Sequence, residues 1–177
     1  MRRAHMTIGV LAILSMVMHG CGSGMKVSKA DLKPLAAGFT GTFQVDPVPS
    51  KHRQKQDRNL LWIFEVPNMT GDTVNLSVDQ QGKVTLHFMD GASRGIEQFN
   101  GRFSKHGYVE VFTRKEIKEV PPLVPIIRGS RQVNRIRMAL SKDGSLVIDS
   151  KWENTANIFL MAGGGSGRAQ YFFKAVK

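Results

Sequence analysis

The stretch TVNLSVDQQGKVTLHF, Thr73 to Phe88, decides the fold class. Val74, Leu76 and Val78 alternate with Asn75 and Ser77, and Val84, Leu86 and Phe88 alternate with Thr85 and His87. A period of two sends all six apolar side chains to one face of an extended chain. Between the two runs, Asp79 to Gly82 (DQQG) has turn composition, so the stretch reads as a β-hairpin with one buried face.

Upstream, Phe39, Gly41, Phe43 and Val45 share one face of a strand that Pro47 and Pro49 end. Leu60 to Val66 (LLWIFEV) is too short to assign between a buried strand and one or two helical turns. Downstream, Asp90-Gly91 turns into a strand over Ile96 to Phe103 that Gly101 interrupts, and Lys105 to Gly107 turns into another over Tyr108 to Lys118. In that strand Val109, Val111 and Thr113 oppose Tyr108, Glu110, Phe112 and Arg114. From Val133 to Leu140, Asn134, Ile136, Met138 and Leu140 oppose Val133, Arg135, Arg137 and Ala139. Lys142-Asp143-Gly144 is a strong hairpin signal before Leu146, Ile148 and Ser150. Asn157 to Ala162 and Ala169 to Val176 make a last pair around the glycine loop AGGGSGR, Ala162 to Arg168. The expectation is an all-β domain over residues 38–177, an antiparallel barrel, half-barrel or sandwich of about eight to ten short strands.

The N-terminus has a different character. Arg2 and Arg3 precede the apolar run Ile8 to Val17, which falls short of the roughly 20 apolar residues a spanning helix needs, so it reads as a secretory signal. The one cysteine, Cys21, follows directly, and a single cysteine closes no disulfide within its own chain. Met18-His19-Gly20-Cys21 resembles the cleavage box of bacterial lipoproteins. That resemblance implies a signal peptide over 1–20, lipid on Cys21, and a tether over 21–37, a stretch whose own residues are polar, small and lysine-dotted and offer a short helix started by Ser28 and Asp31 before Pro34. Gly22 is not the aspartate that retains such proteins in the inner membrane, so the resemblance implies an outer-membrane anchor facing the periplasm. The mature chain resembles small β-rich lipoproteins with lipocalin-like barrels or open half-barrels. The lipocalin G-x-W start is absent, Gly41-Thr42-Phe43 being nearest, so no lipocalin ligand residue carries over.

Cleavage before Cys21 shortens the chain from 177 to 157 residues and, with Arg2 and Arg3 removed, lowers the net charge from +11 to +9. A basic exported domain favours anionic lipid headgroups, acidic glycans or acidic envelope proteins. Nucleic acid is not expected, because no zinc-finger spacing, helix-turn-helix pattern or aromatic-rich basic motif is present. Two stretches are candidate contacts. In KHRQKQDR, Lys51, Arg53, Lys55 and Arg58 form either a solvated loop or a contact with an anionic surface. In EIKEVPPLVPIIRGSRQ, Pro121, Pro122 and Pro125 forbid a central strand, while Leu123, Ile126 and Ile127 are apolar and Arg128 and Arg131 basic. That loop closes one end of the barrel, or forms a lid suited to an amphiphile with an acidic head.

Catalytic patterns are thin. AGGGSGR lacks the lysine and following helix of a phosphate-binding loop and is expected as a flexible hairpin tip. His52, His87 and His106 lack metal-site spacing, no G-x-S-x-G elbow exists, and no cofactor motif is present. Among Glu97, Glu110, Glu116 and Glu119, Glu110 and Glu116 read as rim or surface charges. No enzyme is expected. The expected function is a lipid-anchored, non-catalytic binding module for an anionic or amphiphilic envelope component or a partner protein. The alternative is an envelope assembly factor without a small ligand, which a filled interior favours, whereas an open cavity beside Ile126 and Ile127 favours ligand binding.

Overall fold

The computed structural model describes residues 25, 27, 31–49, 58–66, 71–120, 128–158 and 161–176. Among the described residues, ten strands and one α-helical turn follow in the order β1 Leu32–Lys33, β2 Phe39–Gln44, α1 Leu60–Ile63, β3 Thr73–Val78, β4 Val84–Asp90, β5 Ser93–Phe99, β6 Gly101–Phe103, β7 Val109–Val120, β8 Arg128–Ser141, β9 Leu146–Ile158 and β10 Met161–Phe173. They form two antiparallel sheets, β2-β3-β4-β5 and β10-β9-β8-β7-β6, with β1 paired to β8. The architecture is that of a sandwich or half-barrel, and among the described residues no closed barrel forms.

The hairpin over residues 73–88 forms with Val78 opposite Val84 and Leu76 opposite Leu86. Val74, Leu76, Val78, Val84 and Leu86 are fully buried, as the alternation requires. From the other sheet Val109, Val111, Ile136, Met138, Leu146, Ile148, Tyr171 and Phe173 meet them in one apolar core. One end is closed by α1, whose start is capped by the Asn59 side chain accepting from the Trp62 N–H at 2.8 Å. The turn drives Leu60, Leu61, Ile63 and Phe64 into the core, which settles the stretch that periodicity left open.

Two corners join the sheets. Asn100 alone separates β5 from β6, so one chain segment passes from the first sheet to the second. At the other corner Phe43 of β2 bridges to Ala175 beyond β10, and Val48 N–H donates to Phe172 C=O at 2.7 Å. The first corner needs glycine at residue 101, where an added Cβ would lie 2.4 Å from the Gly82 carbonyl oxygen and 3.2 Å from Val109 and Val111. Because that oxygen is backbone and cannot swing away, Gly101→Ala is expected to cost about 1–3 kcal/mol in urea unfolding. Gly163→Ala meets nothing within 4 Å and should stay within about 0.5 kcal/mol of wild type.

Three expectations from the sequence are corrected. The last four strands are long, not short, at 12, 14, 13 and 13 residues. AGGGSGR is not a hairpin tip: Gly163 to Arg168 lie inside β10, with Gly165 opposite Asn154 and Arg168 opposite Lys151. Glycine permits an extended strand when a partner supplies the ladder, and at Gly164 it is required, since a Cβ would lie 2.2 Å from the Asn154 carbonyl oxygen. The folded unit also starts before Phe39. Leu32 and Lys33 pair with Ser141 and Leu140, and Leu35 is buried, so this part of the expected tether belongs to the folded domain, while of the expected short helix Ser28 lies outside the described residues and Asp31 is in a 3-10 turn.

Candidate functional site

The four long strands outrun the core. Beyond the row Val111, Ile136, Ser150 and Ala169, strands β7 to β10 continue as a four-stranded arm that the smaller sheet does not cover. Of its two faces, the inner one continues the core side and carries Arg114, Glu116 and Lys118 along β7, and the outer one carries charge on all four strands.

The first outer row runs Arg102, Glu110, Arg137, Asp149, Gln170 across five strands in register. Signs alternate along it, and the ion pairs are close. Arg102 donates to Glu110 Oε2 through Nε at 2.9 Å and Nη2 at 2.5 Å, and Arg137 Nε donates to Oε1 at 3.0 Å. Arg168 grips Asp149 with both ends of its fork, at 2.5 and 2.6 Å. Glu110 is only 5% exposed and Asp149 only 1%, so Glu110 is not the surface charge the sequence suggests. Burial acts to raise the Glu110 pKa, but the hydrogen bonds and charges of Arg102 and Arg137 outweigh it and leave it below the ordinary glutamate value.

In the second outer row the cations are neighbours of one another and take their counter-charges from the adjoining rows. Phe112, Arg135, Lys151 and Arg168 lie opposite one another on β7, β8, β9 and β10, so three cations are direct cross-strand neighbours. Like charges directly opposite destabilise a sheet. Arg135 Nε is buried and without a hydrogen-bond partner, lying 3.6 Å from Glu110 Oε1. Burial first, and the Arg137 charge second, push the Arg135 guanidinium below the ordinary arginine value. Gln170 Nε2 on the same face is likewise buried without a partner. Phe112 closes the row, with Arg102 Cζ 5.5 Å and Lys115 Nζ 5.6 Å from its ring centroid. Further out, Arg131 pairs with Glu153 at 3.4 Å, and Lys151 lies 3.9 Å from the other Glu153 oxygen.

Of the residues the sequence singled out, Arg131 therefore belongs to this face. Arg128 opens β8 opposite Val120 and Ile158. Arg58 lies elsewhere, its Cζ 5.0 Å from the Trp62 ring centroid. Cys21, Lys51, Arg53, Lys55, Leu123, Ile126 and Ile127 fall outside the described residues. His87 is exposed on β4 and His106 exposed in the turn before β7. Sequence reasoning placed Arg135 and Arg137 on one face but did not find Lys151 and Arg168 beside them. Only the register between strands brings those together.

The inner face is polar and uncharged over β8 and β9. Asn134, Gln132 and Asn154 lie there beside Trp152, which is 42% exposed. Comparison with protein-family models, curated proteins and solved structures finds no match to this chain.

Proposed function

We propose that this chain is a bacterial envelope lipoprotein, tethered through lipid on Cys21, whose β domain binds anionic envelope components through the outer face of the arm. One observation carries the reading: Arg135, Lys151 and Arg168 are held in register across three neighbouring strands. Glu110, Asp149 and Glu153 balance the three cations only from neighbouring rows, and an oxyanion seated on the row itself adds a counter-charge where the cations face one another. Phe112, Lys115 and Arg131 extend the row into a surface that suits a phosphate- or carboxylate-bearing headgroup. A second reading, an assembly factor without a small ligand, draws support from the side-chain-filled interior, in which Phe43, Phe64 and Phe173 are almost wholly buried.

The test uses the full precursor expressed in a Gram-negative host and purified from membranes in a polyoxyethylene detergent. Its mass is expected to show an acylated N-terminal Cys21, and Cys21→Ala to abolish that modification. Calorimetry should detect short-chain phosphatidylglycerol binding that weakens with added salt, and little phosphatidylcholine binding. The double variant Lys115→Gln/Lys151→Gln, at one exposed and one half-buried position, should weaken the interaction about thirtyfold, from about 1 kcal/mol per basic residue. Unchanged affinity in that variant, or equal affinity for the neutral lipid, refutes the anion site. A mature chain that begins elsewhere refutes the tether.

A further inference from the structure

On the inner face of the arm, an exposed tryptophan lies on a floor of glycines beside a set of amides and a carboxylate. Trp152 of β9 leans over β10, where a Cβ added to Gly167 would lie 2.5 Å from its Nε1 and one added to Gly165 would lie 3.3 Å from its six-membered ring. Both halves of the indole therefore rest along the bare strand. Any larger residue at 167 would lift the ring, so the glycines let a wide aromatic plane lie along the sheet while remaining 42% exposed.

The polar partners come from three other places. Asn134 is the cross-strand neighbour of Trp152, and Gln132 that of Asn154. Glu65, just after α1, is the one described non-glycine residue with positive φ, at 62°. That conformation is the left-handed cap of α1, in which Glu65 N–H donates to Trp62 C=O at 3.1 Å and Val66 N–H to Leu61 C=O at 3.0 Å. Thr113 Oγ1 donates to Glu65 Oε1 at 3.3 Å, and Asn134 Nδ2 donates to the same oxygen. Thr113 is itself the extra residue of a β-bulge between Phe112 and Arg114, and the bulge leaves it in reach of Glu65. With both donors on Oε1, Glu65 Oε2 and the Asn134 carbonyl remain as acceptors, and the Gln132 amide N–H groups as donors beside Arg114, whose Nη1 donates to Gln132 Oε1 at 3.4 Å.

We infer that this surface docks a neutral saccharide ring. A pyranose has one face of C–H groups, which stacks on an aromatic plane, and a rim of vicinal hydroxyls, each both donor and acceptor. Trp152 matches the first, and Glu65, Asn134, Gln132 and Asn154 match the second. A lipid tail fits poorly against so many amides, and an anion fits poorly beside Glu65. This site is on the face opposite the cationic rows, and it does not rest on the anion reading.

The full chain in polyoxyethylene detergent, with Trp62→Phe so that Trp152 is the sole tryptophan, is titrated with maltotetraose, cellotetraose and chitotetraose. At least one should change the Trp152 emission saturably below about 10 mM, the weak end expected for a single stacked ring. Trp152→Ala should then abolish binding, measured by ligand-observed magnetic resonance. Glu65→Gln, which leaves the indole and its floor untouched, should weaken it about tenfold. No response to any of the three sugars, or a response that survives both substitutions, overturns the inference.

Discussion

A Phe43→Ala chain is expected to lose about 3–5 kcal/mol of unfolding free energy, the range for deleting a buried phenylalanine. Phe43 is 1% exposed and sits where three parts of the fold meet. It pairs with Val74 in the smaller sheet, bridges to Ala175 at the corner with the larger one, and lies 6.3 Å from the Phe39 ring. Deleting the ring opens a cavity between the sheets, and backbone pairing on both sides keeps the walls from collapsing into it. Against a typical total of about 5–15 kcal/mol, the loss is a large share of the stability. Urea unfolding followed by circular dichroism measures it. Ile96→Ala, at a side chain 57% exposed, should change the midpoint little, within about 0.5 kcal/mol. Equal effects at the two positions would mean that the corner does not hold the sheets together.

The second large effect is expected at Glu110. Removing its carboxylate takes one of two nearby counter-charges from Arg137, 6% exposed, and from Arg135, 21% exposed, leaving Asp149 to serve both as well as Arg168, while Arg102, 70% exposed, can turn to water. Breaking a buried pair by removing one partner costs about 3–5 kcal/mol, and the mobility of Arg102 places Glu110→Ala near the lower end. The pH dependence follows from the lowered pKa. A carboxylate that binds its proton less readily in the folded chain stabilises that chain above the ordinary glutamate value of about 4.3, and loses this contribution as pH falls through the lowered native value. Wild-type stability relative to Glu110→Gln should therefore be constant near neutrality and shrink in acid. A difference that grows in acid would mean that burial, rather than the guanidinium groups, dominates at Glu110.

Much of the fold was legible because alternation is a local property. Residues 73–88 needed only their own period and one turn, and the opposition of Val109 and Val111 to Glu110 and Phe112 was readable in the same way. The arm was not legible. Arg128 to Gln132 (RGSRQ) has no alternation, and four glycines between Gly163 and Gly167 look like a loop until a long partner strand is beside them. Glu110 was misjudged for a related reason, since a period of two says which face a side chain takes and nothing of what covers that face. Here the covering is made of guanidinium groups from β6 and β8, two different strands.

By itself, then, the sequence determined an all-β chain of antiparallel hairpins, the buried face of its clearly alternating strands, and a basic charge. Only the tertiary structure decided that Arg135, Lys151 and Arg168 form one row, that Trp152 rests on Gly165 and Gly167, and that Glu65 reaches Asn134. Hydrophobic burial and turn geometry at the core end set the register of β7 to β10, and the ladders carry that register outward along the arm. The neighbours of each functional side chain there are fixed by pairing between strands, which no single stretch of sequence contains.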